Sequence, residues 1–453
     1  MNRMRCAAMM FVGERTRLFY NCPERVRKRY TCQSLSVLLL CLLVLTSATG
    51  CFHKTPVRFE NWQDTSPPKL SLKEKARAYQ ERLESHHQMP DGLIRYRWWV
   101  EENENPSEYG NLADGCFHMG IYLASQALRY AATGDPEARE QVLLSLRAMK
   151  LYAEVSGVQG LLARYFSPVK PDDDSWLPSP KHPEYFWRSD VSRDQYAGYI
   201  HGLGVTLAVV SDPEIRQQVA SLAAAIADHL IKNDLQIIDW DDKRTTYGDL
   251  RGRYLGFIPN GINALICLVI AKVAAESTGE QKYIDFYDTL VDKGYPRITR
   301  WTHFVTLSTH KRVNAHMAYL TLYPLLLLEE DQGIVRDLRE GARRTWSRVS
   351  EDHNAFFSFV HAAVVGDGNE GKGEGRKAIS EFPDSKVSWV TSKGEPKSTQ
   401  PALLYLRPHS ASLWFSDPYR LAGHLIGDVG FAGIDYLIAY WLGRYHGFIG
   451  VDE

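Results

Sequence analysis

Beyond residue 51 the sequence has almost no cysteine. Five of the seven cysteines lie at or before Cys51, and only Cys116 and Cys267 follow it. Both lie inside apolar stretches with helical periodicity, and two such residues do not make a disulfide framework. We therefore interpret Cys116 and Cys267 as core residues and not as nucleophiles.

The sequence also lacks an excess of charge and several sharp catalytic motifs. Its net charge is −1, which excludes the basic footprint of a nucleic-acid-binding protein. It contains no HExxH, no GxSxG and no GK[ST] phosphate loop. The acidic stretch DWDDKRTTYGD has neither the Gly nor the Glu at the positions that a calcium loop requires. The sequence predicts no metal, no cofactor and no nucleic-acid partner.

The N-terminal region has the features of a signal peptide. Four basic residues between positions 25 and 29 precede the apolar run LSVLLLCLLVL, which is short for a membrane span. The ATGC that follows resembles a bacterial lipobox, with cleavage near SATG or a short anchor as alternatives. We predict a protein exported and lipid-anchored to a bacterial membrane, on its periplasmic or cell-surface side. The predicted parts are a signal peptide at 1–50, lipidated Cys51, a tether at 51–69 and one domain at 70–453.

The rest of the chain has helical periodicity with connections of alternating length. Tight turns such as TGDP, SDP and TGE alternate with connections of about twenty residues or more. Helices are predicted at 70–87, 115–132, 135–155, 192–209, 212–231, 260–278, 280–293, 314–329, 332–349, 353–366, 372–382 and 430–446.

Six helical hairpins of this kind predict an all-α fold, an (α/α)6 toroid. The helices that follow the long connections would form the inner ring, because GINALICLVIAKVAA and AHMAYLTLYPLLLL are apolar nearly all round. The long loops would then lie over the rim at the N-terminal ends of the inner helices. An irregular helical solenoid is the alternative, but no repeat of fixed period is present.

The long connections are rich in aromatic residues, which pack well on the apolar faces of sugar rings. We predict a glycan-binding cleft at the rim, with an oligosaccharide as the partner. The aromatic residues in these connections are Trp98, Trp99, Tyr109, Trp176, Tyr185, Phe186, Trp187, Trp240, Tyr247, Trp301, Trp389 and Trp414.

Two acids open successive inner helices. Ser192 and Gln195 form a capping box, which places Asp194 in the first turn of its helix. Asp114 in NLADGCFHMG takes the corresponding place one inner helix earlier. Paired carboxylates are what glycosidic bond cleavage requires, so this pair is the predicted catalytic site. Asp190 is the alternative partner.

Two motifs, DGCFHMG and RDQYAGYIHG, resemble those of the six-hairpin (α/α)6 glycosidases. The resemblance is to the unsaturated glucuronyl and unsaturated rhamnogalacturonyl hydrolases, and at motif level it is confined to these two segments. It implies hydrolysis of uronic acid-containing, possibly unsaturated oligosaccharides. In that family an acid protonates the double bond of the unsaturated uronide and water adds to it. The insertion PVKPDDDSWLPSPKHPEYFWR widens the spacing of the two acids here.

Other rim residues are candidates for holding an acidic sugar. The predicted substrate-binding residues are Trp187, Arg188, Arg193, His201, Trp240, Trp301, Asn314 and His316. Two other functions stay open. One is a polysaccharide lyase on the same toroid, in which Tyr199, His201 or His316 would abstract a proton. The other is a non-catalytic glycan-binding surface lipoprotein, which would need the aromatic residues but not the acids.

Overall fold

The structure is a computed structural model. It describes residues 70–95, 97–100, 106–108, 114–171, 175–302, 313–352, 354–366, 368–382, 384, 387–390 and 427–453. The predicted signal peptide, Cys51 and the tether lie outside these residues, and the predicted domain boundaries stay predictions.

In this described part of the chain, twelve α-helices of nine or more residues follow one another, and each matches a helix that the sequence predicts. A π-helical turn at Leu83–His87 extends the first of them, and the short segments Tyr295–Ile298 and Thr299–Trp301 are single helical turns. The twelve are α1 Leu72–Arg82, α2 Gly115–Thr133, α3 Pro136–Glu154, α4 Arg193–Val209, α5 Pro213–Lys232, α6 Gly261–Thr278, α7 Gln281–Asp292, α8 Val313–Leu328, α9 Gln332–Val349, α10 Ala355–Val364, α11 Lys372–Ser380 and α12 Ile434–Tyr445.

The even-numbered helices form a closed ring. Helix α2 packs on α4, α4 on α6, α6 on α8, α8 on α10 and α10 on α12, and α12 returns to pack on α2. The odd-numbered helices lie outside this ring: α3 packs on α2, α5 on α6, α7 on α6, α9 on α8, α11 on α10 and α1 on α12. This arrangement is an (α/α)6 toroid, and the predicted fold class is confirmed.

The turn residues explain why the chain reverses where it does. Helix α2 ends at Gly134, whose φ of 68° is the left-handed conformation common at helix ends. Asp135 then caps α3 by accepting a hydrogen bond from the backbone N–H of Glu137, and Pro136 occupies the first helical position. The Asp212-Pro213 pair starts α5 in the same way.

The inner helices are apolar because they are packed on all sides. Helix α6 is long and apolar enough to cross a membrane by length and composition, but 72% of it is buried inside the toroid. It is therefore a core helix of the ring. Cys116 of α2 and Cys267 of α6 are both buried, in agreement with their interpretation as core residues. Burial raises the pKa of each thiol well above its ordinary value.

Glycine allows the backbones of α2 and α4 to approach each other closely. A Cβ atom on Gly120 would lie 2.0 Å from the carbonyl oxygen of Gly198, and one on Gly198 would lie 2.6 Å from that of Phe117. Gly202 stands in the same relation to the backbone of Gly120, at 2.6 Å. The two backbones are thus in direct contact within the first three turns, which brings the N-terminal ends of both helices together.

Short strands, which the sequence analysis did not assign, stiffen the long connections. They form a four-stranded sheet of order β10-β11-β1-β2, a three-stranded sheet of order β3-β5-β4, and the hairpins β6/β7 and β8/β9. The pairs are antiparallel throughout. Their bounds are β1 Arg97–Val100, β2 Pro106–Glu108, β3 Tyr165–Ser167, β4 Trp176–Pro178, β5 Phe186–Arg188, β6 Gln236–Ile238, β7 Arg244–Asp249, β8 Arg253–Tyr254, β9 Ile258–Pro259, β10 Val387–Val390 and β11 Gly427–Phe431.

Candidate active site

The two predicted acids meet at one amide group. Gln195 Nε2 donates a hydrogen bond to Asp114 Oδ1 at 3.0 Å and another to Asp194 Oδ2 at 3.3 Å. Asp114 precedes α2, and Asp194 and Gln195 lie in the first turn of α4, so the close approach of the two helices makes this contact possible. Asp114 is 3% exposed and Asp194 is partly exposed.

The capping box orients Gln195. Its Oε1 accepts a hydrogen bond from the backbone N–H of Ser192 at 2.9 Å and lies 2.6 Å from the Ser192 hydroxyl. With the carbonyl end of the amide held by the helix cap, its NH2 end is directed at the two carboxylates. The Ser192 hydroxyl also contacts Asp194 Oδ1. The residues that start the helix therefore also position the acid pair.

Arg164 supplies a positive charge beside Asp114. Its Nη2 lies 3.6 Å from Asp114 Oδ1, and the two side chains are 19% and 4% exposed. Nη1 of the same guanidinium donates to the carbonyl oxygen of Asp190 at 2.9 Å. Its backbone joins β5 to the start of α2, since its N–H donates to Arg188 and its carbonyl accepts from Cys116. A buried carboxylate needs such a partner, because an unpaired buried charge is costly.

Asp190, the alternative partner, is engaged elsewhere. Its Oδ1 accepts a hydrogen bond from the backbone N–H of Thr246 at 2.7 Å, and its own N–H donates to Asp239 Oδ2 at 2.9 Å. Asp190 is exposed and has a φ of 51°, as expected of a turn residue. Its carboxylate thus joins the β6/β7 hairpin to the segment before α4.

Asp239 is a further acid beside this segment, which sequence reasoning did not single out. Burial raises the pKa of Asp239, although the backbone N–H groups of Asp190 and Trp240 act in the opposite direction. The sequence signal was present in DWDD, but nothing in the sequence shows that this turn folds against Asp190.

The predicted role of Trp187 requires a correction. Its side chain is 2% exposed and belongs to the hydrophobic core beneath the three-stranded sheet. A ring buried in this way has no face available for a sugar. The alternation of side chains along β5 turns Trp187 inward, while Phe186 and Arg188 on either side remain partly exposed.

His201 and His316 lie in the core of the ring. His201 is fully buried, and its Nδ1 lies 2.7 Å from the carbonyl oxygen of Leu320. His316 is 3% exposed and packs edge-on against Phe117, Phe356 and Phe357. Burial lowers the pKa of His201 to about 4 and that of His316 to about 3, the latter with help from His118 and His201. These properties are those of core histidines and do not support the predicted contact with substrate.

Among the remaining predicted residues, Arg193 is partly exposed next to Asp194. Its Nη1 donates to Asn263 Oδ1 at 2.9 Å and to the Tyr254 hydroxyl at 3.3 Å. Arg188 is partly exposed at the end of β5.

The other three predicted residues differ in their exposed fractions. Trp240 is 52% exposed in the β6/β7 turn, and Trp301 is 44% exposed at the end of the helical turn Thr299–Trp301. Asn314 is 6% exposed in the first turn of α8. The structure therefore brings the carboxylates of Asp114 and Asp194 to one shared donor, the amide of Gln195.

Comparison with known proteins gives likeness in fold only. No protein-family model and no curated protein matches the sequence. A family 76 glycoside hydrolase from a bovine Bacteroides thetaiotaomicron strain is 11% identical, with a TM-score of 0.47 over 83% of this chain and 78% of that chain. An unsaturated glucuronyl hydrolase specific for heparin is 12% identical, with a TM-score of 0.43 over 83% and 96%. A family 76 mannosidase from B. thetaiotaomicron VPI-5482 is 10% identical, with a TM-score of 0.42 over 83% and 98%. Such values do not place the chain in either family.

Proposed function

We propose that this chain is a glycoside hydrolase that acts on uronic acid-containing, possibly unsaturated oligosaccharides, with Asp114 and Asp194 as the working acids. The observation that carries the proposal is the Gln195 amide, which holds a carboxylate from each of two successive inner helices. An acid that only caps a helix accepts a hydrogen bond from a backbone N–H in the first turn of that helix. The side chain of Asp114 makes no capping hydrogen bond to α2. Paired carboxyl groups are the usual machinery of glycosidic bond cleavage.

From their surroundings, we assign different roles to the two acids. The Arg164 guanidinium pairs with the carboxylate form of Asp114, which suits a base or a group that stabilises positive charge. Asp194 is the more exposed of the two and is therefore more accessible to a substrate, so we assign it the donated proton. On an unsaturated uronide, Asp194 would protonate the carbon–carbon double bond, water would add to the resulting cation, and Asp114 would accept the proton of that water.

Arginine residues support an acidic sugar as substrate. Arg193 is adjacent to Asp194, and Arg164 and Arg188 lie where β5 meets the start of α2. Guanidinium groups bind carboxylate and sulfate through paired hydrogen bonds.

The lyase alternative is not favoured by these positions. Tyr199 is fully buried and donates its hydroxyl hydrogen to the carbonyl oxygen of Met149 at 2.9 Å. His201 and His316 are buried in the core of the ring. A base that abstracts a proton from a sugar must reach the substrate, and none of these three side chains is accessible.

The proposal is tested with lyase-generated unsaturated disaccharides from heparin, chondroitin, alginate and pectin. Hydrolysis removes the ultraviolet absorbance of the conjugated double bond, so its loss on addition of the protein supports the proposal. A gain of that absorbance on an intact polysaccharide would instead identify a lyase. Binding without cleavage of any of these substrates or of their saturated counterparts would identify a glycan-binding protein.

We also propose that the mature protein is exported and anchored to a membrane through Cys51. The signal-like N-terminal sequence and its lipobox-like ATGC support this. The test measures incorporation of labelled palmitate and membrane association. Both should be lost in Cys51→Ser, whereas the control variant Cys116→Ser should be lipidated normally.

A further inference from the structure

The start of α2 is capped differently from the starts of three outer helices. Asp135, Asp212 and Asp331 precede α3, α5 and α9, and the side chain of each accepts a hydrogen bond from the backbone N–H of the second residue of its helix. Asp114 precedes α2 in the same way, but its side chain makes no capping hydrogen bond. The N–H of the second residue of α2 therefore needs another acceptor.

Arg164 supplies that acceptor. Its carbonyl oxygen accepts a hydrogen bond from the backbone N–H of Cys116, the second residue of α2, at 3.2 Å. This is the N–H group that an acid before a helix commonly binds through its side chain. Because a backbone carbonyl from another segment binds it here, the carboxylate of Asp114 is not required for the cap.

The guanidinium group of Arg164 holds this carboxylate. Nη2 lies 3.6 Å from Asp114 Oδ1, and Nη1 donates a hydrogen bond to the carbonyl oxygen of Asp190 at 2.9 Å. The second contact fixes the direction of the planar guanidinium group. Asp114 Oδ1 also accepts the hydrogen bond from Gln195 Nε2 at 3.0 Å, so one carboxylate oxygen contacts two donors from different segments of the chain.

The residue that anchors Arg164 is itself held on both sides. Asp190 has a φ of 51°, in the left-handed region that few residues other than glycine adopt. Its N–H donates to Asp239 Oδ2 at 2.9 Å, and its Oδ1 accepts from the N–H of Thr246 at 2.7 Å. Two hydrogen bonds to the β6/β7 hairpin thus fix the turn whose carbonyl oxygen binds Arg164.

We propose that Arg164 is a positioning residue for Asp114. Its carbonyl oxygen caps α2 in place of the acid, and its guanidinium holds the carboxylate, in the ionised form, beside Gln195. This rests on the proposed function and deepens it, since it explains how an acid at a helix start is kept for catalysis. Arg164 acts through Asp114 and does not touch the substrate, so loss of the guanidinium lowers kcat and leaves KM nearly unchanged.

The kinetic test uses one of the unsaturated disaccharides from heparin, chondroitin, alginate and pectin, whichever the wild type cleaves fastest. Arg164→Met should lower kcat at least about tenfold, with less than about a twofold change in KM. Arg164→Lys should recover part of this loss, because an ammonium group keeps the charge but not the paired contacts.

Arg376→Met is the matched control. Arg376 also joins a carboxylate and a backbone carbonyl oxygen, those of Glu453 and Phe448, but it lies in the outer helix α11. This variant should keep the kcat and the KM of the wild type. A rise in KM without a fall in kcat in Arg164→Met would overturn the proposal, since it would make Arg164 a ligand of the substrate.

A double-mutant cycle with Asp114→Asn shows whether Arg164 acts through the acid. In the Asp114→Asn background, Arg164→Met should lower kcat by less than about threefold further, because no carboxylate is left to hold. The midpoint of urea denaturation of the double variant should fall by less than the sum of the falls in the two single variants, since removing both partners leaves no charge unpaired. Equal losses of kcat in both backgrounds, or additive falls in the midpoint, would contradict the proposal.

The two readouts separate this proposal from the proposed function. If the wild type cleaves the disaccharide and Arg164→Met keeps its kcat, the positioning role fails and the proposed function stands. If the wild type cleaves none of the four disaccharides but the midpoints are not additive, the proposed function fails and the positioning of Asp114 by Arg164 stands. If there is neither cleavage nor coupling, both fail.

Discussion

Replacing Asp194 by asparagine should abolish chemistry while leaving the fold intact. In the native protein, Asp194 Oδ2 accepts from Gln195 Nε2 and Oδ1 contacts the Ser192 hydroxyl. An asparagine can keep both contacts, because its oxygen accepts from Gln195 and its NH2 donates to the hydroxyl, which then donates to Gln195 Oε1. We expect a change of less than about 1 kcal/mol in the free energy of unfolding. Turnover should fall by at least about a hundredfold, the usual scale for losing a general acid.

The same substitution at Asp114 should lower stability as well as turnover. Asp114→Asn keeps an acceptor for Gln195 but leaves the Arg164 guanidinium without its opposite charge. Breaking a fully buried pair costs about 3–5 kcal/mol. Arg164 is partly exposed and keeps its hydrogen bond to Asp190, so we expect a smaller loss, about 1–3 kcal/mol. Turnover should fall to a similar extent as in the Asp194 variant.

Asp190→Asn is the matched control, since an asparagine still accepts from the N–H of Thr246. The assay measures loss of ultraviolet absorbance on unsaturated disaccharides and, in parallel, urea denaturation of each variant. Full activity in both Asp114→Asn and Asp194→Asn would refute the two-carboxylate reasoning. A large loss in Asp190→Asn with none in Asp194→Asn would show that Asp190 is the true partner and Asp194 only part of a helix start.

Three further outcomes follow from the same geometry. Gln195→Met, which removes the only described donor shared by both acids, should lower kcat at least tenfold with little change in KM, as steady-state kinetics would show; a change in KM alone would contradict a positioning role. Gly120→Ala should destabilise the protein by at least about 1–3 kcal/mol in urea denaturation and impair activity by separating α2 from α4, whereas Gly373→Ala, with nothing within 4 Å of the new Cβ, should not. Because burial lowers the pKa of His201 to about 4, below about pH 6.5 the unfolded chain binds a proton that the folded chain does not. As the pH is lowered from about 6.5 to about 4, the free energy of unfolding should therefore fall through this residue by at most about 1.4 kcal/mol per pH unit. Urea titrations of His201→Asn should show a shallower decline over the same range.

Sequence patterns were sufficient for the helices and for their inner and outer placement. The number of neighbours of each helix explains its pattern. Helix α6 has many and is apolar all round, whereas α9 has fewer and carries charges along one face. Tight turns such as Gly134-Asp135-Pro136 carry their own local signals. Closure of the ring rests on contacts between α12 and α2, which no local pattern contains.

The positions of Asp114 and Asp194 at the starts of two successive inner helices were predictable from the sequence, whereas the contacts between those helix starts were not. Local capping rules place Asp194 in a first turn, but the contact of Gln195 with Asp114 crosses between helices. Burial divided the remaining candidates: Trp187 and His201 share their residue types with surface binding residues, yet the structure assigns both to the core. An aromatic residue in a long connection is thus ambiguous until the fold of that connection is known.

The distance between the acids is set by glycines and not by the acids themselves. Gly120, Gly198 and Gly202 permit backbone contact between α2 and α4, and only this contact lets one amide reach both Asp114 and Asp194. Each glycine destabilises its helix by about 0.5–1 kcal/mol relative to alanine, so three glycines in one interface destabilise the two helices considerably. An interface of alanines at ordinary helix spacing would close the same ring, but it would hold the two carboxylates apart. Under the proposed function, the close contact of these two helices therefore serves the acid pair.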